Sequence, residues 1–68
     1  MSEDPRALDE RAAERLRHDL ATPLTIVSGF AEVLAADRAI SEDERREYAA
    51  RIQHAADEIR SLIDEVLG

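Results

Sequence analysis

The sequence predicts an all-α fold: an antiparallel two-helix hairpin that dimerises into a four-helix bundle. Three observations carry that expectation. Two long segments repeat apolar residues every three or four positions, the helical interval. Only two glycines and two prolines punctuate the 68 residues. A chain this short hides only about 60% of the surface its unfolded form exposes, so it needs a staple or a partner. With no cysteine, neither a disulfide nor a thiolate metal site can be that staple. A second copy is the simplest partner; packing on another part of a longer chain is the alternative.

The first helix spans about residues 5–36. Asp4 can cap it, with Pro5 at the first helical position, where a missing N–H costs nothing. Leu8, Ala12, Leu16, Leu20, Leu24, Val27, Ala31 and Leu34 then mark its apolar stripe, which runs on through Pro23. A turn follows at about 37–41. The second helix, about 42–67, opens on Ser41-Glu42-Asp43-Glu44, a capping box in which the serine oxygen takes an N–H while Glu44 reaches back. Three acidic residues in its first turn suit the positive end of the helix dipole. Tyr48, Ile52, Ala55, Ile59, Leu62 and Val66 then step by four and three, a heptad seam. Ile63 and Leu67 widen that seam, as a helix touching two neighbours requires. The chain reads as a single domain, 1–68.

The formal net charge is −7 and all nine basic residues are arginine. That balance disfavours nucleic acid, whose affinity for proteins rests largely on neutralised phosphates. No apolar run approaches the ~20 residues of a membrane span, and the N-terminus MSEDPRALDE lacks the order of a secretory signal. The expectation is a soluble, cytoplasmic segment without membrane contact of its own, which leaves room for a membrane-anchored parent protein.

The most informative stretch is RHDLATPL, residues 17–24. His18 lies roughly 160° around the helix from Leu16 and Leu20, pointing away from the stripe. Thr22, Thr25 and Gly29 continue its outward line at four, seven and eleven residues. Pro23 removes the hydrogen bond to the Asp19 carbonyl and crowds it, at about 3 kcal/mol, so the helix should bend or loosen near His18. An exposed imidazole beside a carboxylate is a plausible nucleophile. Asp19 can fix the tautomer and leave the other nitrogen free to attack, while Thr22 can orient a water. Each residue alone reads as ordinary solvated surface. The combined pattern His-(Asp/Glu)-x-x-(Thr/Asn)-Pro arises by chance in about one chain of this length in a thousand. His54, on the outer side of the second helix with no such sequence after it, reads as a solvated side chain.

His18-Asp19-Leu20-Ala21-Thr22-Pro23-Leu24 resembles the phosphoacceptor motif of sensor histidine kinases, within their dimerisation and histidine-phosphotransfer domain. The resemblance covers nearly the whole chain. It implies that His18 accepts a phosphoryl group from ATP and passes it to an aspartate on a response-regulator receiver domain. Asp19 would be the base or orienting acceptor, and Thr22 the residue positioning water when members dephosphorylate the regulator. The outward groove of Ala21, Thr25 and Gly29, with Phe30 at its edge, is where the family docks its regulator. Members often carry arginine or lysine where this chain has Ala21. No glycine-rich loop is present, and the chain has no asparagine to hold Mg²⁺. ATP and Mg²⁺ would therefore be bound by a separate kinase domain acting in cis or in trans, and this chain, with no cofactor of its own, is not expected to phosphorylate itself. Two alternatives stand beside this reading: a stand-alone phosphorelay intermediate, and a purely structural helical dimerisation module.

Overall fold

The structure, a computed structural model, describes residues 5–68; the expected cap at Asp4 and the side chains of Pro5 and Leu8 lie outside the described residues. Two helices form the described architecture: α1, Pro5–Ala35, and α2, Glu42–Leu67. They pack against each other along their length as a hairpin 60 × 20 × 12 Å in extent. Its thickness is that of one helix with side chains, about 10–12 Å. Such a slab has no enclosed centre.

α1 is one unbroken helix of 31 residues with Pro23 inside it. It ends where the Ala36 N–H is shared between the carbonyls of Glu32, at 3.0 Å, and Val33, at 3.3 Å. α2 begins with both halves of the capping box formed. Ser41 Oγ accepts from the Glu44 N–H, Glu44 Oε1 accepts from the Ser41 N–H, and both distances are 3.0 Å. These bonds satisfy two N–H groups that no helical carbonyl can reach. At the other end the Gly68 N–H reaches the Asp64 carbonyl at 2.8 Å. Gly68 takes φ +78° there, the left-handed conformation a glycine adopts without strain.

The same Glu44 ties the turn to the packed faces. Its Oε2 accepts from the Tyr48 hydroxyl at 3.3 Å, and the Tyr48 ring stacks on Phe30 of α1, centroids 5.2 Å apart at 27°. The Ser41 N–H, then the Ser41 and Tyr48 hydroxyls, hold the Glu44 carboxyl below the usual carboxylate range. Partial burial, then the Glu44 charge, pushes the Tyr48 phenol up.

Phe30 on Tyr48 sets the register of the antiparallel pair. One heptad back on α1 and one forward on α2 brings Pro23 opposite Ala55. These are the two most covered of the described residues, Pro23 below 2% exposed and Ala55 at 1%. A further heptad brings Leu16 opposite Leu62, and both line one cleft between the helices. Pro23, expected to weaken the helix, therefore also fills the tightest layer of the hairpin, across from a side chain small enough to admit its ring.

This register corrects the expected stripe on α1. The covered seam is Leu16, Leu20, Pro23, Val27 and Phe30, stepping by four and three like the seam of α2. Ala12 and Ala31 are exposed, and Leu24 and Leu34 remain 49% and 36% exposed. At about 100° per residue, Leu24 and Ala31 stand some 60–80° round the helix from Leu16, on one flank of the seam. Antiparallel packing brings that flank to the same broad face of the slab as Ile63 and Leu67 of α2, which are 36% and 79% exposed. One face of the hairpin is thus apolar and unpartnered.

Candidate functional site

His18 and its neighbours stand on a helix whose orientation is set by the seam beneath them. Because Leu16, Leu20 and Pro23 face α2, His18 projects from the far side of α1 and is exposed. Thr22, one turn on, is exposed on that side too. Its hydroxyl has no hydrogen-bond partner among the described residues, whereas the Thr25 hydroxyl donates to the Ala21 carbonyl at 2.9 Å. Of the two threonines beyond the histidine, only Thr22 keeps its hydroxyl available to a water or a ligand.

Asp19 diverges from His18. Consecutive helical positions differ by about 100°, and no hydrogen bond joins the two side chains. Asp19 instead lines an open cleft of about 470 Å³ between the helices, with Arg11, Arg15, Leu16, Leu62 and Glu65 among its walls. Among the described residues the carboxylate makes no ion pair there. The orienting hydrogen bond expected from the sequence is absent from this conformation.

Beyond His18 two shallow hollows merge into a furrow along α1. The first is lined by Ala21, Thr22, Thr25 and Ile26; the second by Thr25, Ile26, Gly29, Phe30 and Val33. The furrow gathers Ala21, Thr25, Gly29 and Phe30. Phe30 is half-buried, one side against Tyr48 and the other forming a wall of the furrow. Ile26 and Val33 are further walls, absent from the groove expected from the sequence. Their spacing from Thr22, four and eleven residues, is the signal that could have found them, and the stronger stripe on the packed side eclipses it.

Gly29 has nothing within 4 Å of where a β-carbon would stand. Within the hairpin it answers no packing need, and a glycine in a helix interior costs about 1 kcal/mol relative to alanine. Among the described residues no group of three histidine or acidic side chains could hold a metal ion, and no helix is long and apolar enough to cross a membrane.

The family model described as the His Kinase A (phospho-acceptor) domain matches residues 9–68. No curated protein and no solved structure matches the chain.

Proposed function

The chain belongs to the His Kinase A phospho-acceptor domain family, and from that membership we propose that His18 is its phosphoacceptor, within a homodimer that serves a two-component histidine kinase. The observation that carries this reading is the exposed imidazole of His18 within the matched segment, on the side of α1 turned away from α2. A ring nitrogen attacks the γ-phosphorus of ATP held by a separate domain. The P–N bond forms as the P–O bond to ADP breaks, and the ring proton passes to Asp19 once that side chain turns from the cleft toward the ring; its carboxylate has no partner among the described residues to hold it back. In the second step a receiver-domain aspartate attacks phosphorus, and the P–N bond breaks with its electron pair returning to the ring.

The furrow from Ala21 to Val33 is the docking surface for that receiver domain. It adjoins His18, has apolar walls, and its glycine lets a partner's backbone approach closely. Replacing Gly29 with alanine is expected to act in opposite directions on folding and on transfer. The melting temperature should rise, since the added methyl meets no neighbour and helix propensity improves by roughly 1 kcal/mol. Transfer to the regulator should fall about tenfold, the order of one misplaced methyl in a close-fitting contact. Unchanged transfer with a raised melting temperature would remove Gly29 from the docking surface.

Dimerisation is supported by the unpartnered apolar face and by total exposure. The chain leaves 5744 Å² accessible, against about 4,300 Å² for a compact protein of its mass. The excess, about 1,400 Å² per chain or nearly 3,000 Å² for a pair, falls in the range of obligate homodimers, roughly 2,000–5,000 Å².

The test is incubation with ATP, Mg²⁺ and the cognate nucleotide-binding domain. The expected product is an acid-labile, base-stable phosphate on the wild type and none on His18→Gln. Thr22→Ala should still accept phosphate while losing any regulator phosphatase activity, because it lacks the free hydroxyl. Label that persists on His18→Gln would defeat the assignment. A dimer that never takes label would be a structural dimerisation module.

A further inference from the structure

The charges within one helical turn of His18 are distributed so that one cation has no partner among the described residues. On a helix surface the neighbours of residue 18 are residues 14, 15, 21 and 22. On the C-terminal side these are Ala21 and Thr22, which carry no charge. On the N-terminal side they are Glu14 and Arg15. Glu14 is engaged: its Oε2 accepts from Arg17 at 2.8 Å. Arg15 has no hydrogen bond or ion pair among the described residues. It lines the inter-helix cleft with Asp19 from its own helix and Glu65 from α2, and neither carboxylate takes it up. Asp19 follows Arg15 by four residues, the less favourable order for a helical ion pair.

Side chains on a helix lean toward its N-terminus, so an imidazole at position 18 overlies the turn that holds residues 14 and 15. A phosphoryl group on an outer ring nitrogen would extend further over that turn. It would bring about two negative charges and three acceptor oxygens to a surface where Glu14 is already paired with Arg17, Asp19 and Glu65 line the cleft beyond, and the Arg15 guanidinium has no partner among the described residues. Arginine's planar fork suits bidentate binding of phosphate oxygens.

From this arrangement we infer that Arg15 is the phosphoryl-binding residue of the site, closing on the group once it is carried by His18. The inference rests on the assignment of His18 as phosphoacceptor and extends it to a second residue. Arg15 favours the dianionic form of the phosphoryl group and holds it on the cleft side of α1. Arg17 contributes differently, by keeping Glu14 from repelling the incoming phosphate.

The test uses the full chain and a small donor, so that no kinase domain is involved. Phosphoramidate phosphorylates histidine directly: the ring nitrogen attacks phosphorus, the donor's P–N bond breaks, and the ring proton leaves with ammonia as ammonium. The phosphorus NMR signal of the product is then followed against pH for the wild type, Arg15→Gln and Arg15→Lys. A cation beside the phosphoryl group stabilises its dianion and lowers the titration midpoint. Arg15→Gln should therefore raise the midpoint by about half a unit to one unit, reduced from the range of buried pairs because the site is exposed. Arg15→Lys should restore part of the shift, and salt should shrink it. Thermal melting of the unphosphorylated variants should match the wild type, since Arg15 holds nothing in the hairpin. Equal midpoints for wild type and Arg15→Gln would overturn the inference while leaving His18 as acceptor. Failure of His18 to take phosphate, with the same result for His18→Gln, would overturn the underlying assignment and this inference with it.

Discussion

Leu24→Glu is expected to convert the proposed dimer to monomers. Leu24 is 49% exposed in the hairpin, so a longer polar side chain fits there without disturbing the seam between α1 and α2. In the proposed dimer the same position would face apolar surface, and symmetry would place two glutamates in the interface. A buried, unpaired carboxylate costs several kcal/mol even after relaxation, so the pair should weaken association by three or more orders of magnitude. Sedimentation velocity across a concentration series checks this. The wild type should remain dimeric at micromolar concentrations where Leu24→Glu sediments as a monomer. Helicity should fall in parallel, because a lone hairpin in which only Pro23 and Ala55 among the described residues are fully buried has little to offset the entropy of ordering its chain. His54→Glu, on an exposed position away from the apolar face, serves as the control and should stay dimeric. A dimer that survives Leu24→Glu would show that the partner sits elsewhere.

The second large effect concerns the layer where the hairpin is tightest. Ala55→Leu adds three carbons opposite the Pro23 ring, at a position only 1% exposed. Overpacking of this kind costs about 1–3 kcal/mol. In a domain of this size each kcal/mol lowers the melting temperature by roughly 4–8 °C, so a fall of about 10 °C or more is expected. Pro23→Ala should rescue it. That change removes the ring that the introduced leucine would strike and restores the helical hydrogen bond to the Asp19 carbonyl, worth about 3 kcal/mol in an exposed helix. Alone, Pro23→Ala should gain less than that figure, since it also empties the covered layer. The double-mutant cycle should therefore show favourable coupling, as expected for side chains in contact. Additive effects would mean that Pro23 and Ala55 do not meet, and the register drawn from Phe30 and Tyr48 would have to shift.

Much of this molecule is local, and local features are legible in one dimension. The start of α2 can be read from Ser41 to Glu44 because a capping box closes within four residues and needs no help from the rest of the chain. The outward position of His18 follows from its phase against Leu16 and Leu20, since 100° per residue holds wherever a helix persists. The motif around His18 is recognisable for the same reason: its chemistry is confined to two turns.

What tertiary structure decided is how two such helices meet. A period of three and four allows neighbouring flanks to look equally apolar, so the pattern places Leu24 and Ala31 in a seam that Pro23 and Phe30 occupy. Only the contact of Phe30 with Tyr48 fixed which heptads oppose each other, set Pro23 against Ala55, and left Leu24 and Ile63 facing outward together. The divergence of Asp19 into the cleft beside Arg15, and the walls that Ile26 and Val33 give the furrow, follow from that same choice. The reason is physical. Helix formation is governed by bonds between residues four apart, whereas helix pairing depends on which side chains mesh across a turn, and no periodicity within one strand of sequence encodes the phase of the other.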